Sequence, residues 1–342
     1  MPKSKPQFII PFAKPCGITS FTSLWQVKRA LGTKKVGHTG TLDSFADGLL
    51  VLLSGKLTKL VPYITGFDKT YRVLFYFGKE TDTLDPEGTV IAEKPLPVYA
   101  DFIAAIRQLT GTIEQVPPVY SAVKQAGERL SDKIRRGEAV TVPPRTVTIY
   151  SIDIEKIFYA SAADTDAEKS EAGAVQKVLG AVLCVRCSKG TYIRSLVRDI
   201  AHCCGSAAYV YALRRTAVGP FTLEQAAGCS VLPPFGSAAA GMESVPYSVT
   251  EEEIKRVALP LSETLARAMH FQTAELQEKY YPAFMNGKPI NRHWFTDAHP
   301  LSDSGTIAVF YQGCCAGLIT KNGNRFHYQI VFNRGRVDAS DA

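Results

Sequence analysis

No apolar run in this 342-residue chain approaches the roughly 20 residues that a membrane-crossing helix needs. The opening Met1-Pro2-Lys3-Ser4-Lys5-Pro6 is basic, but it has no apolar h-region and no small-residue cleavage site. It therefore does not read as a secretory signal, and a cytoplasmic location is expected. Internal repeats are missing, which argues against repeat architectures. A closed metal-ligand set is missing too. Cys184-Val185-Arg186-Cys187 has CxxC spacing, but no second CxxC follows. It lies in a strand-like run, where residues three apart face opposite sides. Cys203-Cys204 and Cys314-Cys315 are adjacent pairs, badly placed for a disulfide or a zinc site. The eight cysteines thus read as free thiols in a reducing compartment, and no metal is expected. No pair of carboxylates stands in matched motifs, as a glycoside hydrolase would need.

What is present is an ordinary globular composition, 46% hydrophobic and 21% charged. The length allows a large core and suggests two domains, or one large domain with a small one. The net charge of +7 is a modest excess. Its distribution says more. Lys14, Lys34, Lys35, Lys69, Arg72, Lys189, Arg194, Arg198, Arg214 and Arg215 sit near the motifs, whereas acidic residues gather at Asp164 to Glu171 and Glu251 to Glu253. That asymmetry predicts a basic groove for a phosphate backbone.

Residues 19–31 read as a helix capped by Ser20, with Phe21, Leu24, Val27 and Leu31 on one side and Gly32 ending it. Strands are predicted over 71–77, 147–158 and 178–188, and a short helix over 101–109. Between the last two strands, 161–174 reads as a mobile hairpin loop rich in Ala, Asp, Glu and Ser. A second helix is predicted over 192–204, with Ile193, Leu196, Val197, Ile200 and Ala201 as its apolar stripe and Arg194 and Arg198 on the opposite face. After a Pro/Gly/Ser/Ala-rich linker at 229–247, residues 254–269 read as partly helical. Strands follow over 306–310, 316–319 and 326–332, with Asn322-Gly323 as a hairpin turn.

One loop carries the chemistry. Gly37-His38-Thr39-Gly40-Thr41-Leu42-Asp43-Ser44-Phe45-Ala46-Asp47-Gly48 sets a carboxylate, Asp43, in a turn whose glycines permit close approach of a large ligand. A lone Asp in such a loop is more often a turn former. Its neighbours change that weighting. Lys14-Pro15-Cys16-Gly17-Ile18-Thr19-Ser20 precedes it. Lys69-Thr70-Tyr71-Arg72-Val73, Gly78-Lys79-Glu80-Thr81-Asp82-Thr83, Gln115-Val116-Pro117-Pro118-Val119-Tyr120-Ser121-Ala122 and Cys187-Ser188-Lys189-Gly190-Thr191-Tyr192-Ile193-Arg194 follow in order. In this arrangement the chain closely resembles the TruB family of bacterial tRNA pseudouridine-55 synthases, from about Pro11 to Phe221.

The resemblance implies an α+β fold. A catalytic domain over 1–245 would hold a mixed or antiparallel sheet flanked by helices, with an RNA-clamping insertion at 119–145. A small β-rich PUA-like domain would follow over 250–335. It implies isomerisation of the uridine in the tRNA TΨC loop: base flipping, cleavage of N1–C1′, and joining of C5 to C1′, with no cofactor. Positive charge developing at C1′ calls for a carboxylate, acting as covalent nucleophile or as base and electrostatic stabiliser. By resemblance that residue is Asp43, Arg194 is its partner, and Tyr71 stacks on the uracil and assists removal of the C5 proton. His38 would fill the space left by the flipped base. Lys14, Lys69, Arg72, Lys124, Arg135, Arg136 and Lys189 are expected RNA contacts. The expected partner is the TΨC stem-loop, bound by a stand-alone monomer. A short N-terminus and the lack of a Lys-rich tail favour this over a guide-RNA-dependent relative. A binding protein without catalysis would not need Asp43, Tyr71 and Arg194 together.

This chain departs from the family at several points. Ser131 replaces a commonly found tyrosine in the insertion. Ser44 stands where proline usually follows the Asp, leaving the loop less stiff. Asp47 adds a carboxylate four positions on that would disfavour ionised Asp43 if buried nearby.

Overall fold

The computed structural model describes residues 7–120, 124–125, 128–129, 136, 142–161, 176–237, 248–296 and 301–332. The expected loop at 161–174 lies outside them apart from Ser161, and so do Arg135 and most of the 119–145 insertion. Within the insertion, Lys124–Gln125 and Glu128–Arg129 pair as an antiparallel ladder.

A nine-stranded sheet forms the centre of the fold. Its main strands are β1 (Ile9–Lys14), β2 (Asp47–Ser54), β3 (Lys69–Phe77), β4 (Gly111–Gln115), β5 (Arg145–Tyr159), β6 (Val178–Cys187) and β7 (Ala208–Val218). They lie in the order β1-β2-β7-β3-β6-β5-β4. All these pairs are antiparallel except β2 with β7, which touch in parallel at Asp47–Arg214 and Gly48–Arg215. Gly48 is obligatory at that crossing. Its φ is +106°, and a Cβ would fall on the Arg215 backbone. The short strand Val36–His38 pairs with β2 and leads into the Asp43 loop.

β1 and β2 are buried along their whole lengths, unlike a one-faced strand, because apolar clusters cover both sides. On one side lies α1 (Ser20–Ala30). On the other, Leu261, Met269, Phe271, Phe310, Leu318 and Ile330 from the C-terminal part join the same cluster. The helices α2 (Tyr99–Gln108) and α3 (Ile193–Cys203) pack over β3, β6 and β7 to make the largest core. A second sheet, of β8 (Gln272–Glu275), β9 (Thr306–Tyr311), β10 (Cys314–Asn322) and β11 (Arg325–Val331), completes the chain.

Three local expectations change. Thr19, not Ser20, caps α1, accepting the Thr22 N–H at 3.1 Å. Ser20 is buried and holds Leu42 instead. The buried face of α1 is Ser20, Ser23, Leu24, Val27 and Ala30, so it lies one residue round from the predicted stripe and leaves Phe21 71% exposed. In α3, residues 193–197 are buried without a break. Arg194 therefore does not lie on a solvent face opposite the apolar stripe. Among the described residues, no helix is long and apolar enough to cross a membrane, and no group of three or more His, Cys, Asp or Glu is placed to hold a metal.

Candidate active site

A cavity of about 780 Å³ opens where the Asp43 loop, β3 and the N-terminus of α3 meet. Asp43, Tyr71, Lys69, Lys189, Arg194 and Arg215 all line it, with Tyr120, Leu213 and Arg145 closing other sides. The loop is held from several directions. The Ser20 hydroxyl accepts the Leu42 N–H at 2.8 Å and donates to the Leu42 carbonyl at 3.1 Å. The Arg215 guanidinium donates to the carbonyls of Gly40, Thr41 and Leu49. Asp43 itself is 39% exposed, so its carboxylate faces the cavity.

Arg194 is 5% exposed and stands between two carboxylates. Its Nε lies 3.0 Å from Asp43 Oδ2 and its Nη1 lies 2.9 Å from Asp85 Oδ2. Nη1 also donates to the Thr83 carbonyl and Nη2 to that of Tyr120. The planar fork suits this division of labour, since its donors point in fixed and different directions. Burial pushes the Asp85 carboxyl up, and the Thr83 hydroxyl and Arg194 pull it back. Asp85 follows Leu84, a buried non-glycine residue with φ +62°. Such a conformation persists only where surroundings enforce it.

Tyr71 is buried under the cavity. Burial holds its phenol above the ordinary value, and the adjacent Arg215 opposes this more weakly. Its ring therefore lies at the cavity with the Arg215 guanidinium beside it.

The expected RNA cations divide sharply. Lys14 is fully buried and donates to the carbonyls of Pro15, Ile18 and Ser44, at 2.8, 2.8 and 3.3 Å. It is an internal clamp between loops, with its pKa lowered to about 8 by burial. Lys69 is buried as well, donating to the Thr65 and Phe67 carbonyls. Arg72 alternates to the other face of β3, where it pairs with Glu155 at 2.6 Å and stacks on Phe235. Lys14 and Lys69 thus direct their charge to carbonyls inside the protein, and Arg72 directs its own to Glu155. Lys189 is exposed at the cavity, and Arg136 is exposed in its turn. Lys124 is placed in its short strand by backbone alone. His38 is half-buried on the strand entering the loop and is not among the cavity-lining residues. Burial, then Arg215, lowers its pKa.

Asp47 is buried, but Arg214 grips it at 2.8 and 2.7 Å. The expected burial of this second carboxylate is met, and Arg214 supplies its counter-charge. Asp85 and Arg215 are site residues that the motifs do not nominate. Asp85 lies just past the Gly78–Thr83 block, and in the sequence Arg215 reads only as one of the basic residues near the motifs. Neither has a signal that spacing alone would reveal, because each reaches the site across the fold.

The family model described as "TruB family pseudouridylate synthase (N terminal domain)" matches residues 28–193. A Treponema pallidum protein named tRNA pseudouridine synthase B is 41% identical over 96% of this chain and 98% of its own length. The Treponema denticola protein of that name is 42% identical over 94% and 97%. In fold the chain is similar to a chain of the archaeal box H/ACA sRNP Nop10–Cbf5 complex, with TM-score 0.62, 19% identity, and coverage of 96% of this chain and 87% of that one. Sequence and fold agree on the assignment, and the chain belongs to the TruB family of pseudouridylate synthases.

Proposed function

We propose that this protein isomerises the uridine of the tRNA TΨC loop to pseudouridine, with the Asp43 carboxylate acting at C1′. That it is a tRNA pseudouridine synthase follows from its family and its named relatives. The observation that carries the finer reading is the Asp43–Arg194 pair at 3.0 Å on the wall of the cavity. The buried guanidinium supplies the counter-charge of the carboxylate, which is 39% exposed and free to meet a substrate atom. The cavity volume suits a flipped nucleotide, with the Tyr71 ring as the stacking surface for a uracil detached from its sugar. His38 enters the space the base leaves. Lys189 and Arg136 meet phosphates, and Arg145 joins them at the cavity rim. The 119–145 segment, with Lys124 and Arg135, closes on the RNA. Residues 1–245 form the catalytic domain and 250–335 a PUA-like domain, in a cytoplasmic protein that acts as a monomer.

The test is Asp43→Asn, assayed on unmodified tRNA transcript with mapping of pseudouridine. The amide keeps the shape and loses the charge. Turnover should fall at least a thousandfold, roughly the scale of losing a reacting group, while tRNA affinity stays within about twofold. Substantial turnover by the purified variant would remove Asp43 from the mechanism.

A further inference from the structure

We propose that Ser44 and Glu87 form a clasp that positions the Asp43 loop against the Asp85 turn; the proposal rests on Asp43 being the reacting carboxylate. The Ser44 hydroxyl donates to the Glu87 carboxylate, at 3.0 Å from one oxygen and 3.1 Å from the other. The Glu87 N–H donates to Asp85 Oδ1 at 3.1 Å. Asp85 Oδ2 meets Arg194, and Arg194 meets Asp43, the residue before Ser44. The contacts thus close a ring: Asp43, Ser44, Glu87, Asp85, Arg194 and back to Asp43. Arg194 ties the two segments from the buried side. The clasp ties them again from the solvent side.

The two ends of the clasp differ in stiffness. The Asp85 turn is rigid. Leu84 donates to Thr81 at 3.0 Å, and its carbonyl accepts the Val210 N–H of β7 at 3.0 Å. Thr83 and Thr81 fix Asp85 through its side chain and its carbonyl. The Asp43 loop is less constrained by its own sequence. Gly40 and Gly48 flank it at φ +152° and +106°, conformations that side-chain-bearing residues rarely adopt, and between them the segment 41–46 belongs to no helix or strand. Serine adds no stiffness of its own. On the inner side the Ser44 carbonyl accepts the Gly17 N–H at 2.8 Å and Lys14 Nζ at 3.3 Å. With its hydroxyl held by Glu87 as well, Ser44 is fixed from both sides. The carboxylate one residue earlier then has a defined place. Orientation at this level matters, because small misplacements of a reacting group cost rate rather than binding.

Ser44 and Glu87 are therefore positioning residues. Neither needs to touch the RNA. The test is a double-mutant cycle read by single-turnover pseudouridine formation and, separately, by tRNA affinity. Ser44→Ala and Glu87→Ala should each slow the step about fivefold, the size expected when a partly exposed, charge-assisted hydrogen bond is lost. The double variant should be no slower than either single one. Ser44→Thr, which keeps the hydroxyl, should recover the rate to within about twofold, and tRNA affinity should not move in any variant. Multiplying losses, no loss, or a loss confined to affinity would overturn the clasp. Asp43→Asn run alongside separates the two ideas. If it remains active, the reading of Asp43 fails. If it is inactive but Ser44 and Glu87 do not couple, only the clasp fails.

Discussion

Arg194 shows what a single residue does when its surroundings, not its type, decide its role. Arg194 and Arg198 are four apart on α3, yet they do different things. Arg198 is bound to its neighbour Asp199 at 2.7 Å and to the Val116 carbonyl at 3.0 Å. Arg194 is inserted beneath the Asp43 loop. Arg194→Lys keeps the charge but loses the fork that serves two carboxylates. It should slow single-turnover pseudouridine formation at least tenfold, roughly one lost charge-assisted hydrogen bond. Arg198→Ala should cost less than about threefold. Equal losses in the two variants would assign both to the same structural task. Lysine is the better replacement, because alanine would leave the buried Asp85 carboxylate without a counter-charge and endanger the fold. The pairing of Arg194 with Asp43 was legible from the motif that contains it. The grip of Asp85 was not, since 109 residues separate the partners.

At the scale of elements, patterning found β3, β5 and β6 of the central sheet, left β1, β2, β4 and β7 unread, and misplaced charged members of the strands. The alternation in Lys69-Thr70-Tyr71-Arg72-Val73 puts Tyr71 and Arg72 on opposite faces. A motif match groups them; a pleated strand separates them. The entry to α1 makes the same point. Lys14 ends β1 and turns inward to three carbonyls rather than outward to RNA. Its pKa falls from 10.5 to about 8 on folding because the charge is buried. Between those pH values the unfolded chain holds a proton that the folded chain has released. The contribution of this group to stability therefore rises with pH across the window. The stability of the native chain relative to Lys14→Met should widen by about 2 kcal/mol between pH 7.5 and 10. Denaturant unfolding of both proteins at the two pH values measures it. A gap that stays constant or narrows would mean that Lys14 keeps its proton in the fold.

At the scale of the whole molecule, the sheet and the C-terminal part share one apolar cluster across β1 and β2. The two parts therefore present a joined surface to any large ligand. Fewer cations face that surface than the composition implies. Lys14 and Lys69 are buried, while Arg72 and Arg214 are committed to Glu155 and Asp47. Lys189, Arg145, Lys34 and Lys35 are exposed. Affinity for tRNA should still fall as salt rises, because each neutralised phosphate releases counterions. Lys189→Ala should reduce the slope of log K against log salt by about 1, and Arg72→Ala should leave the slope unchanged. Titrations at low and physiological ionic strength check this. A salt-independent affinity would remove the phosphate groove, and a changed slope in Arg72→Ala would return that residue to it.

The sequence by itself determined the Asp43 loop, the family resemblance that implies the reaction class, α1 to α3, and the strands β3, β5, β6 and β9 to β11, while β1, β2, β4, β7 and β8 went unread. The features it determined depend on local information: glycines at turns, period-two and helical patterning, and ordered motifs along one chain. Only the tertiary structure decided which charges are free. A lysine or arginine in a basic stretch reads the same whether it meets water, a carbonyl or a carboxylate from a distant strand. The parallel contact of β2 with β7 brings Arg214 to Asp47 and Arg215 to the Asp43 loop. The packing of α3 brings Arg194 to both Asp43 and Asp85. Those pairings arise from long-range packing, so no local pattern in the chain records them.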